Sequence, residues 1–416
     1  MVGAGAAGLA TAIFARRANP AGALALLDGA RTAGAKILVS GGTRCNVTNR
    51  VVSETDFWGG RRTLIGRVLR AFTADDTVRF FRELNVPLHE EADGKLFPDS
   101  NRARDVLDAL LRAVESSGAH LLAGHRVLEV ERADGGFRVV TSQGVIASRR
   151  VVLATGGQSL PKSGSDGTGF RFAQRLGHAI VPTTPALAPL TLAGADGKAM
   201  HRALAGVSHD VELSVWVDGR ITARLRGAML WTHFGISGPV ALNASRHWLR
   251  ATLEGRDVRV TANLCPEETF DSLDRLWTTA APARPPVRTP RGRPKRSILT
   301  ALAALVPASV AAAILEGLHL EASLELAHLT RAERRRLVHG LTAWPLAVTG
   351  SRGYSYAEAT AGGVALDEVN VATMESRICP GLYLVGEILD VDGRIGGFNF
   401  QWAWSSAFVA ARALST

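Results

Sequence analysis

Met1-Val-Gly-Ala-Gly-Ala-Ala-Gly8 is the stretch that decides the fold. It spells G-x-G-x-x-G, with Gly3, Gly5 and Gly8 at the fixed positions. In a dinucleotide-binding turn the first glycine makes a tight bend and the second lets backbone approach a pyrophosphate. The third lets a helix pack closely on a strand. Leu9-Ala-Thr-Ala-Ile-Phe-Ala-Arg-Arg17 reads as the helix that follows, and the free N–H groups and positive dipole at its start suit a phosphate. A second apolar run, Ala23-Leu-Ala-Leu-Leu27, ends in Asp28, 20 residues beyond Gly8. An acid at that distance binds a ribose hydroxyl. A lone glycine motif is weak, but one opening a βαβ unit with an acid so placed points to an adenine dinucleotide.

Such a motif follows a strand of about 5–6 residues, whereas only Met1 and Val2 precede Gly3. The sequence predicts an upstream start or, as the second choice, a stub strand. The stub would leave its neighbours partly unpaired and a protonated amino terminus near the phosphates. The same shortness argues against a signal peptide.

At 416 residues the chain is long enough for two or three domains. The apolar run from Ala301 to Leu315 is broken by Pro307 and falls short of the ~20 residues of a membrane span. Three scattered cysteines, Cys45, Cys265 and Cys379, support neither a zinc site nor a disulfide framework. A cytoplasmic protein without a metal is expected. Net charge is +10, and only five of the 48 basic residues are lysines. An anionic partner such as RNA would suit that charge. Because the arginines are spread along the chain, genome composition and cofactor phosphates are the preferred explanation, and a nucleic-acid partner is not expected.

Residues 1 to about 160 alternate strands and helices, as in a parallel sheet covered on both faces. Helices are expected over 66–85 and 103–117. Arg150-Val-Val-Leu-Ala-Thr-Gly-Gly157 reads as a buried strand running into a glycine turn. From Ala186 to Leu264 the segments are short and alternating, with Asp218-Gly219 as a hairpin turn. Residues 282–296, rich in proline and arginine, read as a linker, and 297–342 as helices. The α/β texture returns near Tyr354. The expected organisation is 1–185 and 346–416 as one cofactor domain, with a β-rich insertion over 186–280 and a helical one over 281–345.

Four distant segments carry the chemistry. Beside the opening turn stand Lys36-Ile-Leu-Val-Ser-Gly-Gly-Thr-Arg-Cys-Asn-Val-Thr-Asn49, the turn Ala154-Thr-Gly-Gly157, and Gly386 to Trp404. The second suits a loop that drapes N–H groups round phosphates and a ring edge. In the fourth a helix begins near Gly397, and a helix amino terminus aimed at a flavin would stabilise negative charge on its reduced ring.

These segments, with Ala154 to Gly169, Thr232-His-Phe-Gly-Ile-Ser-Gly-Pro239 and Ala359-Thr-Ala-Gly-Gly-Val364, resemble the HI0933-like (YhiN/BaiN-like) family of bacterial FAD-binding flavoproteins. The resemblance spans almost the whole chain. It implies an α/β fold: a Rossmann-like FAD-binding domain of the two-dinucleotide-binding-domain class, with an inserted β-rich subdomain and a helical subdomain. It implies an FAD-dependent oxidoreductase that moves hydride between flavin and a small organic substrate, with NAD(P)H as transient donor. The alternatives are an RNA-associated flavoprotein and an oxidase using oxygen.

Carried over by motif, Gly3, Gly5, Ala6, Ala7 and Gly8 would hold the pyrophosphate, and Asp28 the adenosine ribose. Lys36, Ser40, Gly42, Arg44, Cys45 and Asn46 would line flavin and phosphates. Val127 would offer backbone bonds to adenine, and Thr155 and Gly156 would pass the adenosine side. Gly386, with Glu387 or Asp390, would meet the ribitol or phosphate region. Gly396, Gly397, Phe398 and Asn399 would approach the pyrimidine edge. The chain departs from the family pattern in its missing first strand and in Thr43, where relatives often carry glycine.

Catalytic candidates are weaker. His233 is either a general acid or part of a hinge turn, Arg44 either orients an anionic substrate or pairs with phosphate, and Tyr354 is a candidate proton donor. Cys45 has no partner cysteine at redox spacing, so packing is its preferred role. A second complete G-x-G-x-x-G is absent, so no separate nicotinamide domain is expected.

Overall fold

The computed structural model describes residues 1–194, 199–279 and 297–415. The proline–arginine segment read as a linker lies outside the described residues. The chain forms two compact units, Met1–Ala186 with Gly353–Thr416, and Leu187–Arg352.

The first unit is built on a parallel sheet. Ala25–Asp28 pairs with His120–Ala123 on one side, and Val151–Leu153 pairs with Leu382–Leu384 on the other. Between them Val2 bridges both Leu27 and Leu153, parallel to each. The Met1 amino group donates to Ala25 O at 2.7 Å. Burial pushes that amino group down to about 5. The strands are apolar because they are covered: Leu26, Leu27 and Val151 to Leu153 are all buried.

The covering helices are Ala6–Ala18, Ala103–Ser116 and Phe398–Leu414. The first and last pack against each other. Phe14 stands 5.2 Å from Phe72, 4.7 Å from Phe80 and 5.5 Å from Phe408, ring centre to ring centre. The helix expected over 66–85 is instead two, Arg62–Ala71 and Ala74–Glu83. Thr73 accepts from Asp76 N while the Asp76 side chain accepts from Thr73 N, so a new helix starts there. The carbonyl freed at Phe72 is taken by Gln401 Nε2 at 2.9 Å and Ser405 Oγ at 2.7 Å. The apolar period of 66–85 runs through this break, so periodicity alone misses it.

The second unit carries a seven-stranded antiparallel sheet. Ser208–Val217 and Arg220–Thr232 form its long hairpin, turning at Asp218 and Gly219, both with positive φ. Val211, Leu213, Val215 and Val217 point inward at period two. Helices Pro239–Leu253, Ala308–Gly317 and Arg331–Thr342 bury residues in the same core. Residues 186–280 and 281–345, read as two insertions, thus share one core wherever they are described. The return expected at 346 falls at Gly353, because Val348–Ser351 pairs with Leu190–Leu192 in the insertion sheet. Among the described residues no helix is long and apolar enough to cross a membrane.

Thr73→Ala should cost about 1 kcal/mol of local helix stability. Hydrogen exchange across Ala74–Glu83 should quicken, and Thr73→Ser should restore it. Unchanged exchange would show that the cap is not what starts this helix.

Candidate functional site

Glycines bring the distant segments together. A Cβ on Gly3 would lie 2.5 Å from Ala154 O, and one on Gly8 would lie 1.9 Å from Gly3 O. A Cβ on Gly386 would lie 2.8 Å from Ala7 Cβ, and one on Gly397 2.5 Å from Thr48 O. Gly5 differs: a Cβ there meets nothing within 4 Å. It caps the helix Ala6–Ala18, whose first turn has no side-chain cap and no acid. Open space in front of uncapped N–H groups is what a pyrophosphate needs. Gly3, Gly5, Ala6, Ala7 and Gly8 therefore form one cradle.

Asp28 stands beside it. Its Oδ2 accepts from Ala4 N and its Oδ1 from Ala30 N, each at 2.8 Å. The two bonds fix the carboxylate, and each oxygen keeps a lone pair for a ribose hydroxyl. Gly29 lies against the Arg126 side chain, at 3.2 Å from a built Cβ, which brings buried Val127 to the same end of the sheet. Thr155 Oγ1 and Ser165 Oγ are buried and have no partner among the described residues. A Cβ on Gly156 would lie 2.7 Å from Ser165 Oγ.

The loop after Gly34 is shaped by backbone. Gly41, Gly42, Thr43 and Cys45 all have positive φ. Thr43 thus adopts at some cost the conformation that glycine takes freely. Ser40 Oγ donates to Ile37 O, and Asn46 Oδ1 is buried without a partner among the described residues. Cys45 is fully buried, and burial pushes its thiol up to about 12, against a hydrogen bond with Ser40. It is a packing residue, not a thiolate nucleophile. The loop abuts the start of the last helix: Asn49 Nδ2 donates to Gly396 O at 3.2 Å, and Trp404 Nε1 to Val47 O at 2.9 Å. Asn399 is turned inward, its amide bonded to both N and O of Gly393. Phe398 is buried and packs on Phe57. Asp390 is buried, with its main-chain O bound by Gly60 N at 2.7 Å.

Lys36 and Glu387 join the second segment to the fourth. Their ion pair is 2.5 Å long, at side-chain exposures of 26% and 18%. Ser159 Oγ donates to Glu387 Oε1 at 2.8 Å, and Thr360 N donates to the same oxygen at 2.9 Å. Ser159 and Thr360 lie inside motif segments, yet only the fold makes them partners of Glu387.

Arg44 has protein partners of its own. Its Nη1 is 2.6 Å from Glu91 Oε1, and its guanidinium sits 4.0 Å over the Phe97 ring. That hydrogen bond holds the Glu91 carboxyl below its usual value. Arg44 here is a strut between the loop and the strand Lys95–Pro98. Tyr354 Oη donates to Thr183 Oγ1 at 2.9 Å, and Thr183 Oγ1 to Gln158 Oε1 at 2.8 Å, within the first unit. His233 belongs to the second unit, exposed at the tip of a hairpin.

The family described as the HI0933-like protein Rossmann domain matches residues 1–413. The chain belongs to that family. It is an FAD-dependent oxidoreductase with a Rossmann-type FAD-binding domain. The open cradle at Gly5 and the unpartnered oxygens of Asn46, Thr155 and Ser165 fit FAD. The chain is 32% identical over 421 residues to the ribosomal RNA dihydrouridine synthase of Escherichia coli, covering 100% of this chain and 97% of that protein. It is 30% identical over 413 residues to the 3-dehydro-bile acid delta(4,6)-reductase of Clostridium scindens, covering 99% and 98%. A ribosomal RNA dihydrouridine synthase of Haemophilus influenzae is 30% identical over 419 residues, covering 100% and 98%.

Gly5→Val should fold, since a Cβ there meets no protein atom within 4 Å, but purify without flavin. Normal flavin content in that variant would remove the phosphates from this cradle. Iodoacetamide at pH 8 should leave Cys45 unmodified in the native protein and alkylate it in urea. Alkylation of native Cys45 at the rate of a free thiol would overturn its assignment to packing.

Proposed function

We propose that the protein reduces a carbon–carbon double bond conjugated to a carbonyl, and that the bond lies in a uracil ring of RNA. What carries the reading is the full-length similarity to proteins whose names describe the same change. A dihydrouridine synthase and a delta(4,6)-reductase both saturate such a bond. The net charge of +10 supports a polyanionic substrate. NAD(P)H is the proposed donor, docking transiently, and the cytoplasm is the proposed compartment.

When bound and reduced by NAD(P)H, the flavin would supply hydride from N5 to one carbon, while a proton from solvent or a protein donor adds to the other. The residues of this chain hold and orient. Gly3 to Gly8 and Asp28 would grip the pyrophosphate and adenosine ribose. Lys36 and Glu387 would face the ribitol and phosphates, with Ser159 and Thr360 fixing the carboxylate. The last helix, Phe398–Leu414, has Gly397 as its N-cap and no side-chain cap. Its free N–H groups would favour negative charge at the pyrimidine edge. The thiols of Cys45 and Cys265 are both pushed up to about 12 by burial, which favours hydride chemistry over thiol–disulfide exchange.

A second reading keeps the small-molecule substrate expected from the sequence. It is favoured by the similarity to the bile-acid reductase, and its substrate is a soluble unsaturated ketone.

Anaerobic NADH or NADPH should bleach the visible flavin band. An unmodified ribosomal RNA transcript should then re-oxidise it and gain dihydrouridine, measured by nucleoside mass spectrometry. Bleaching without dihydrouridine, but with reduction of an unsaturated ketone, would replace the RNA reading by the second. Flavin left unbleached by either nicotinamide would overturn the donor.

A further inference from the structure

The frame around Glu387 leaves one nearby carboxyl without a bond. Glu358 stands just before the strand Ala359–Val364. Ala357, Ala359 and Thr360 beside it are buried, yet Glu358 is exposed. Its carboxyl has neither a hydrogen bond nor an ion pair among the described residues. Burial nevertheless holds that carboxyl above its usual value, against the pull of the Lys36 ammonium. A side chain that water reaches and protein partly surrounds lies in an open recess, where desolvation favours the neutral acid.

The main chain on both sides of Glu358 is pinned to the same frame. Ser159 Oγ lies 3.3 Å from Glu358 O and donates to Glu387 Oε1. Thr360 N donates to that same Glu387 oxygen. Thr360 Oγ1 accepts from Gln158 N at 2.8 Å and from Ser159 N at 3.1 Å. A Cβ on Gly157 would lie 2.4 Å from Thr360 Oγ1, so the glycine turn closes on this spot. Ala359 faces Ala186 in the antiparallel pair. The ionisable groups on the elements around Glu358 are Lys36 on Ala35–Val39, Glu387 on Gly386–Ile388, and Tyr354 and Tyr356 on the preceding turn. The paired strand, Ile180–Ala186, carries none. Lys36 and Glu387 are bound to each other, and the Tyr354 phenol donates to Thr183 Oγ1. A carboxylic acid also gives up its proton far more readily than a phenol.

We propose that Glu358 is the proton donor of the reduction. This rests on the reading above that a conjugated carbon–carbon double bond is reduced. It applies to a uracil ring and to an unsaturated ketone alike, since each needs a proton at the carbon next to the carbonyl. The O–H bond of Glu358 breaks as that carbon–hydrogen bond forms. Hydride from the reduced flavin goes to the far carbon of the double bond, and NAD(P)H is the net reductant. Water then returns a proton to the carboxylate.

The test uses the full chain loaded with FAD and bleached anaerobically by NADH or NADPH. It is then mixed with an unmodified ribosomal RNA transcript or an unsaturated ketone. Glu358→Gln keeps the size of the side chain but has no acid proton, and should slow re-oxidation of the flavin about 100- to 10,000-fold. Glu358→Asp keeps an acid and should recover part of the loss. Flavin content and bleaching establish that each variant is loaded and reducible. A second readout needs no turnover. In protein labelled with glutamate carrying 13C at its carboxyl, the signal that Glu358→Gln removes should titrate above the ordinary value of about 4.3. Re-oxidation of the Gln variant at the unaltered rate, or a signal titrating at or below that value, would overturn the donor and leave the reduction reading standing. If the unaltered protein reduces neither substrate, the reduction reading falls and the donor falls with it.

Discussion

The cofactor unit depends on backbone meeting backbone where no side chain stands. Gly8 lies inside a helix, where glycine costs about 1 kcal/mol relative to alanine. An alanine Cβ there would press to 1.9 Å from Gly3 O, a clash far more costly than the entropy that glycine loses. The same exclusion recurs at Gly386 against Ala7 and at Gly397 against Thr48. Because the helix Ala6–Ala18 can sit this close, its first turn points at the space in front of Gly5. The last helix is brought against the second loop by the same means.

Polar groups then complete what the glycines begin. Lys36 and Glu387 are largely withdrawn from water, and such a pair holds only when its remaining valences are met. Ser159 and Thr360 meet them at one carboxylate oxygen. By contrast, Asn46, Thr155 and Ser165 keep buried oxygens without protein partners among the described residues. An unmet buried hydroxyl or amide costs about 1–3 kcal/mol. The satisfied groups frame the site, and the unsatisfied oxygens are left with hydrogen-bonding capacity that no described protein group uses.

Much of this was legible in the sequence, for physical reasons that differ between residues. The glycine spacing and the helix start near Gly397 were readable because backbone geometry dictates residue type there. The long hairpin was readable because Asp218-Gly219 supplies the turn and the apolar residues of 211–217 alternate. The break at Thr73 was not, since the apolar period continues on both sides and only the cap decides. Arg44 was left open between an anionic substrate and a phosphate, because a guanidinium suits either. Its bond to Glu91, 47 residues away, exists only through the fold. Ser159 and Thr360 escaped for the same reason, as their roles exist only once distant segments meet at Glu387. The boundary at Gly353 was missed because pairing with Leu190–Leu192, not composition, decides to which unit residues 348–351 belong.

The insertion leaves and rejoins the cofactor unit along adjacent paths. Within that unit Ala186 faces Ala359 across an antiparallel pair, and within the insertion Leu190 faces Ser351. A segment whose two ends lie side by side constrains its host little more than a short turn would, because the closure cost rises only slowly with length.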